Sequence, residues 1–419
     1  MRVLWFGGPG LYHPVNKQSG GYNGAGWQAS VQRILMKQYR YIELGVCFNA
    51  ENEPWKTEQD GVAYYAVPFY KKSLKDKVLD NLNVFDVKRD EVQWPYYIEH
   101  FKKVIEDYKP DLIQVFGCET YIQLGSLAAK ELGIPCVLHI QGLLSLYIYT
   151  YLPTGVSPWR YYLSEGCRKA WGKMQYYAYW HRSCHREKAI LQSVSHVLGR
   201  THWDRQAMEI LNPKAVYHYG GEVLRPCFYE PSERSMPAKP VITTTSSGAT
   251  YKGMDLVLKI ANILKNEMHV DFEWNVYGNV DPQFFEKIAG VKHEDVNVHL
   301  KGVASAEQLR EAMLRSTVYC QPSYVENSPN SIAEAQMLGL PSVATNVGGT
   351  ASMVEDGKSG YLYPPTDPYM GAYYIGRLIA DKDLNITTGE TGKAVAQERH
   401  NADKIVAALV DTYNEIIRS

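Results

Sequence analysis

The stretch Ser323–Gly349, SYVENSPNSIAEAQMLGLPSVATNVGG, sets two carboxylates, Glu326 and Glu334, around a proline-led helix start. The run leading into it, STVYCQPS, reads as a buried strand ending at Ser323, and NSIAEAQMLG reads as helix formers closed by Gly339. The loop between them would lie at the carboxyl end of a parallel strand, where open α/β sheets bind ligands. Pro329 presets φ for the first turn, and the amides that follow point partial positive charge into the same crevice. That geometry suits a phosphate. Ser331-Ile-Ala-Glu334 is also a capping box, in which the glutamate would only satisfy the N-cap amide. Glu326 has no comparable local duty. A carboxylate only accepts hydrogen bonds, so beside a diphosphate it needs hydroxyl donors of the kind a sugar ring or a ribose diol supplies.

Short apolar strands alternate with helical patterns through the chain, which predicts an α/β fold with parallel sheets and helices on both faces. The first series is RVLWF, YIELGVCF, VAYYAVPFY, DLIQVFG, CVLHIQG and VSHVLGR, with helices expected at about 24–37, 96–107, 120–132, 160–192 and 202–210. The second is PVITTTSS, FEWNVYG, VNVHLKG, STVYCQPS and PSVATNV. At 419 residues the chain is too long for one ordinary core, so two domains are expected. Segment 223–240, rich in proline, reads as a linker. It divides an N-terminal domain, 1–225, from a second domain, 226–385. The remainder, 386–419, reads as amphipathic helices free to fold back on the first domain.

A formal net charge of −1 gives no field that would steer the protein to nucleic acid. The seven cysteines are odd in number, scattered and set in apolar runs, which fits reduced packing residues in the cytoplasm. MRVLWFGGPG is too short in its apolar run for a signal peptide, and no apolar run reaches the roughly 20 residues that cross a bilayer. Residues 157–188 are different: seven Lys/Arg against two Glu, interleaved with Trp and Tyr. Such a segment suits peripheral contact with an anionic inner-leaflet membrane, or equally a buried or acceptor-facing helix with snorkelling lysines.

Glu326-x7-Glu334 followed by AQMLGLPSVATNVGG resembles the signature of family 4 retaining glycosyltransferases, whose GT-B fold faces two Rossmann-like domains across a cleft. The resemblance implies that Glu326 lies against the donor sugar, that Glu334 binds the ribose hydroxyls, and that Asn327, Ser328, Asn330 and Ser331 line the cradle. TTTSSGATYKGMDL resembles the family's strand-loop-helix, whose lysine, here Lys252, neutralises the diphosphate. The arginine usual in that loop is absent; Ser246, Ser247 and Gly248 stand there. VYGNV and VHLKGV resemble strand ends that border the donor, implying Gly278, Gly302 and Val303. SGGYNGAG resembles the glycine-rich loop near the phosphate, implying Gly20 and Gly21. In IPCVLHIQG, Gln141 stands where the family commonly has histidine, with His139 on the same strand face. Either could contact donor sugar or acceptor, and His139 could equally be a core histidine. Segment 197–229 resembles bacterial capsule and lipopolysaccharide enzymes.

The resemblance implies transfer of a sugar from a nucleotide diphosphate to a glycan or lipid-linked acceptor in surface polysaccharide synthesis, with no metal and no cofactor. Alternatives are a nucleotide-sugar hydrolase or epimerase, or a non-catalytic nucleotide-sugar-binding protein. His181-x-x-Cys184-His185 lacks a fourth metal ligand nearby, EDGKSG lacks the P-loop glycine, Asp381-x-Asp383 does not follow a strand, and FGGPG lacks dinucleotide spacing.

Overall fold

The computed structural model describes residues 1–12, 26–51 and 53–419, so Gly20 and Gly21 lie outside the described residues. Eight strands form the first sheet: β1 (Arg2–Phe6), β2 (Glu43–Ala50), β3 (Trp55–Gln59), β4 (Val62–Pro68), β5 (Leu112–Phe116), β6 (Cys136–His139), β7 (His196–Gly199) and β8 (Val216–Tyr219). Their order is β3-β4-β2-β1-β5-β6-β7-β8, and only the edge pair β3–β4 is antiparallel. The central strands are apolar on both faces because helices cover both. Phe101, Ile105 and Ala128 lie on one side, and Trp27, Val31 and Leu35 on the other.

Six strands form the second sheet: β9 (Val241–Thr245), β10 (Glu273–Tyr277), β11 (Val298–Gly302), β12 (Val318–Gln321), β13 (Ser342–Thr345) and β14 (Tyr361–Tyr363). The order β11-β10-β9-β12-β13-β14 is parallel throughout. From β9 the chain winds outward to β11, then returns to β12 and winds the other way. The loops leaving β9 and β12 therefore diverge to opposite faces, and a crevice opens between their carboxyl ends. The first loop carries Lys252 and the second carries Glu326.

The last helix, Ala402–Arg418, belongs to the first domain by contact. Ile405, Val406, Leu409, Val410, Tyr413 and Ile416 are buried with Val3, Trp5, Leu44 and Leu112. A chain of buried hydrogen bonds ties this helix to the sheet. Trp5 Nε1 donates to the Tyr413 hydroxyl at 3.0 Å, which donates to Gln114 Oε1. Gln114 Nε2 donates to His139 Nδ1 at 3.3 Å, and His139 Nε2 donates to the Gly220 carbonyl at 3.2 Å. The relay crosses β1, β5 and β6 before it reaches the end of β8.

His139 is thereby a core residue, 3 % exposed, with its ring against Trp27 and Phe116. The contact with donor or acceptor expected of it is not made available by this arrangement. Strand alternation does send the side chain to the face beneath Trp27, where Trp27, Phe116 and the Gly220 carbonyl enclose it. Burial, and then the nearby Arg200 charge, lower its pKa to about 3. Among the described residues no helix is long and apolar enough to cross a membrane.

Tyr413→Phe strands the Trp5 donor and the Gln114 acceptor in the core, and equilibrium urea unfolding should show a loss of about 2–4 kcal/mol. His139 yields a pH signature. The unfolded imidazole takes a proton near pH 6.5 and the folded one only near 3, so the stability from burying it neutral is lost as pH falls through that window. His139→Gln should be less stable than wild type at pH 8. The gap should close by about 1.4 kcal/mol per pH unit below 6.5 when both are unfolded at matched pH.

Candidate active site

The loop after β9 ends in the turn Thr250–Lys252 and then Gly253, whose φ of +71° starts the helix Met254–Asn262. A side chain on Gly253 would sit 1.8 Å from the Pro322 carbonyl, so only glycine lets this turn lie against the loop after β12. That approach brings Lys252 Nζ to 2.6 Å from Glu326 Oε1. The same carboxylate oxygen accepts from Ser323 Oγ at 2.7 Å and Gln321 Nε2 at 3.0 Å. Gln321 Oε1 in turn accepts from the Tyr319 hydroxyl at 2.7 Å and from Ser331 Oγ at 3.1 Å. Glu326 is pinned from behind as well. Its carbonyl accepts from the Gly349 amide at 2.9 Å, and the backbone of Gly348 lies too close for any side chain. Burial by itself would lower the Lys252 pKa, and the Glu326 charge more than reverses this, so the ammonium is raised and stays charged.

Glu334 sits on the buried face of the helix Asn330–Met337. The capping box is not formed. Pro329 occupies the N-cap and offers no capping side chain, while Ser331 lies inside the helix. The Glu334 carboxylate instead takes a two-pronged ion pair: Arg225 Nε donates to Oε1 and Nη2 to Oε2, both at 2.7 Å. Burial raises the Glu334 pKa against the pull of this guanidinium, and Glu334 holds the Arg225 pKa up against its own burial.

Arg225 is the residue that sequence reasoning missed. It lies in the expected linker, far from β9, and no spacing rule connects it to the lysine loop. Yet Arg225, Lys252, Ser246 and Ser247 line one cavity of about 300 Å³, together with Gly278, Asn330, Ser331 and Glu334. Gly26 and Trp27 close it from the first domain. A second cation thus enters the crevice from the interdomain crossing, and the loop that lacks arginine faces it.

Glu326 reaches this cavity through its partner Lys252 and does not itself line it, and neither do Asn327 and Ser328. Asn327 accepts from Thr201 Oγ1 at 2.7 Å and donates to Asp204 at 3.0 Å and the Gln141 carbonyl at 3.1 Å. Ser328 donates to Glu222 at 2.7 Å, and Glu222 pairs with Arg200 at 2.6 Å. Asn330, in the orientation its neighbours demand, donates to both Glu222 oxygens at 3.1 Å. These are joint residues between the domains. Gln141 enters that joint through its backbone. Gly302 ends β11 at φ +71°, and Val303 beside it is exposed outside the cavity lining.

Residues 229–395 match the family model described as glycosyl transferases group 1. A D-inositol 3-phosphate glycosyltransferase of Streptomyces bingchenggensis is 33 % identical over 141 residues, which are 34 % of this chain and 31 % of that protein. An N-acetyl-alpha-D-glucosaminyl L-malate synthase of Bacillus anthracis is 24 % identical over 33 % of this chain and 36 % of its own. The chain spans about a third of the length of these curated relatives. Among solved structures, the sucrose-phosphate synthase of Thermosynechococcus elongatus superposes with a TM-score of 0.70 at 16 % identity, covering 100 % of this chain and 99 % of its own. The HepE protein of Anabaena, solved with UDP, superposes at 0.65 and 16 % identity over 99 % of this chain and 100 % of its own. The match to the group 1 glycosyl transferases thus falls on residues 229–395, on a chain whose two parallel-sheet domains have the GT-B fold.

Proposed function

We propose that this protein transfers a sugar from a nucleotide diphosphate donor to a glycan or lipid-linked acceptor in surface polysaccharide synthesis, retaining the anomeric configuration. The observation that carries the reading is the pair of buried carboxylates at the switch point, each matched with its own cation. The similarity to a D-inositol 3-phosphate glycosyltransferase and an N-acetyl-alpha-D-glucosaminyl L-malate synthase, and to HepE solved with UDP and with UDP-glucose, supports it.

The free protein holds Arg225 on Glu334 and Lys252 on Glu326. A nucleotide-sugar offers anions to the cations and hydroxyl donors to the carboxylates, so the diphosphate would share Arg225 and Lys252 with the glutamates while the sugar and ribose hydroxyls supply the carboxylates with added hydrogen bonds. Arg225 takes the place of the cation missing at Ser246, and Lys252, a compact point charge, stabilises the leaving phosphate. The anomeric C–O bond to phosphate breaks and a bond from the acceptor oxygen forms on the same face. The acceptor proton passes to the departing phosphate oxygen. Glu326 orients a donor-sugar hydroxyl, and Glu334 takes the ribose diol.

Titration calorimetry against UDP, GDP and uridine tests the binding roles. Glu334→Ala should weaken UDP and uridine alike by about tenfold, whereas Arg225→Ala should weaken UDP and spare uridine, which has no diphosphate. Glu326→Gln should leave UDP affinity within about twofold and lower kcat by about 10²-fold. A cleft that binds no nucleoside diphosphate, or normal turnover in both glutamate variants, overturns the reading. Product analysis by NMR that shows an inverted anomer removes the retaining mechanism alone.

A further inference from the structure

The helix Leu74–Leu82 is amphipathic the wrong way round for a soluble protein. Leu74, Val78 and Leu82, spaced i, i+4, i+8, form one stripe and are 82 %, 57 % and 75 % exposed. No residue of this helix is buried. Its acids face the protein: Asp76 and Asp80 are gripped by Arg89 at 3.2 and 2.8 Å, and Asp80 by Lys72 at 2.7 Å. A helix that turns its carboxylates inward and its leucines outward is built for an apolar surface outside the fold.

The stripe does not stand alone. Asn81 accepts from Gln175, and Phe85 meets Tyr177 and His181 edge-on at 6.3 Å, so the stripe runs into the helix Cys167–Ser193. That helix exposes Trp171 and Tyr176, and the preceding Pro158–Leu163 exposes Trp159 and Leu163. Lys71, Lys75 and Lys77 are exposed around the aliphatic stripe. Aliphatic anchors ringed by lysines, with Trp and Tyr beside them, match the chemistry of an anionic lipid surface. A stable protein interface would engage about 20–30 residues a side, far more than one nine-residue helix and its aromatic flank present.

From this patch a file of rings leads into the molecule. Tyr176 and Trp180 are 6.5 Å apart, Trp180 and Tyr251 5.7 Å, and Tyr251 and Tyr147 5.6 Å. The Lys252 ammonium lies 5.4 Å from the Tyr251 ring, at the cleft. We propose that the helix Leu74–Leu82, with Phe85 and the Trp171/Tyr176 face, docks the protein on the anionic surface of a lipid bilayer. The ring file then links that surface to the edge of the cleft, where a lipid-anchored acceptor would present its head group. This last step rests on the transfer reading; the docking does not.

The test is co-sedimentation of the full chain with vesicles of phosphatidylcholine alone and of equal parts phosphatidylcholine and phosphatidylglycerol, with UDP titration run in parallel. Wild type should bind the anionic vesicles and release in high salt. Leu74→Glu/Val78→Glu/Leu82→Glu should abolish this binding, and Lys71→Gln/Lys75→Gln/Lys77→Gln should reduce it about a hundredfold. Both variants should keep wild-type UDP affinity. The proposal is overturned if wild type prefers neither vesicle, if the glutamate variant binds as wild type does, or if wild type is a dimer that Leu82→Glu splits, since a second copy would then cover the stripe. Vesicle binding without UDP binding upholds the docking and overturns the transfer reading alone.

Discussion

A carboxylate taken out of water must be given a positive partner, and the cleft is organised around two such debts. The Glu326 and Glu334 side chains are 8 % and 4 % exposed. Loss of either cation would leave a buried charge uncompensated at a cost of about 3–5 kcal/mol. Three separate stretches of chain meet to prevent this: the loop after β9 brings Lys252, the interdomain crossing brings Arg225, and the loop and helix after β12 bring the glutamates. The result is a crevice stocked with matched acceptors and donors before any ligand arrives. Binding then becomes a sharing of partners, which spares the ligand from neutralising a naked charge.

Immediately beside this set lies a second buried polar set that spans the two domains. Arg200, Asp204 and Glu222 of the first domain are buried and hold Asn327, Ser328 and Asn330 of the second. Glu326 and Asn327 are neighbours in sequence, so one loop belongs to both sets. The carboxylate faces the cavity residue Lys252 while the amide of the next side chain locks the two domains together. Any shift of the joint therefore moves the site directly through one peptide.

Much of this was legible in the sequence. The alternation of strand and helix patterns located both sheets, and the Glu326–Glu334 spacing located the crevice, because periodicity and helix-start chemistry are local. What escaped was non-local. Edge strand β3 reads as WKTEQ, polar and half-exposed, and β14 is three residues long, so neither carries a burial pattern. The expected helix 160–192 is broken after Leu163, and Gly166, at a φ of +85°, caps the start of the next helix. The resemblance implied that Asn327 and Ser328 line the cradle, yet their partners lie 126 and 106 residues away. Arg225 meets Glu334 across 109 residues, and His139 meets the Gly220 carbonyl across 81. No pattern within a window of sequence records such meetings.

The backbone passes between the lobes twice, once outward near Glu222 and once homeward near His400, and the two passages touch. His400 Nδ1 donates to the Glu222 carbonyl at 2.9 Å, and the Tyr229 hydroxyl donates to the His400 carbonyl at 2.8 Å. A body joined to another by a single strand can swivel in every direction. One joined by two strands pinned side by side is held more like a door on two knuckles. Two crossings pinned together leave the lobes fewer directions of relative motion than one would, and Arg225 stands only three residues beyond Glu222.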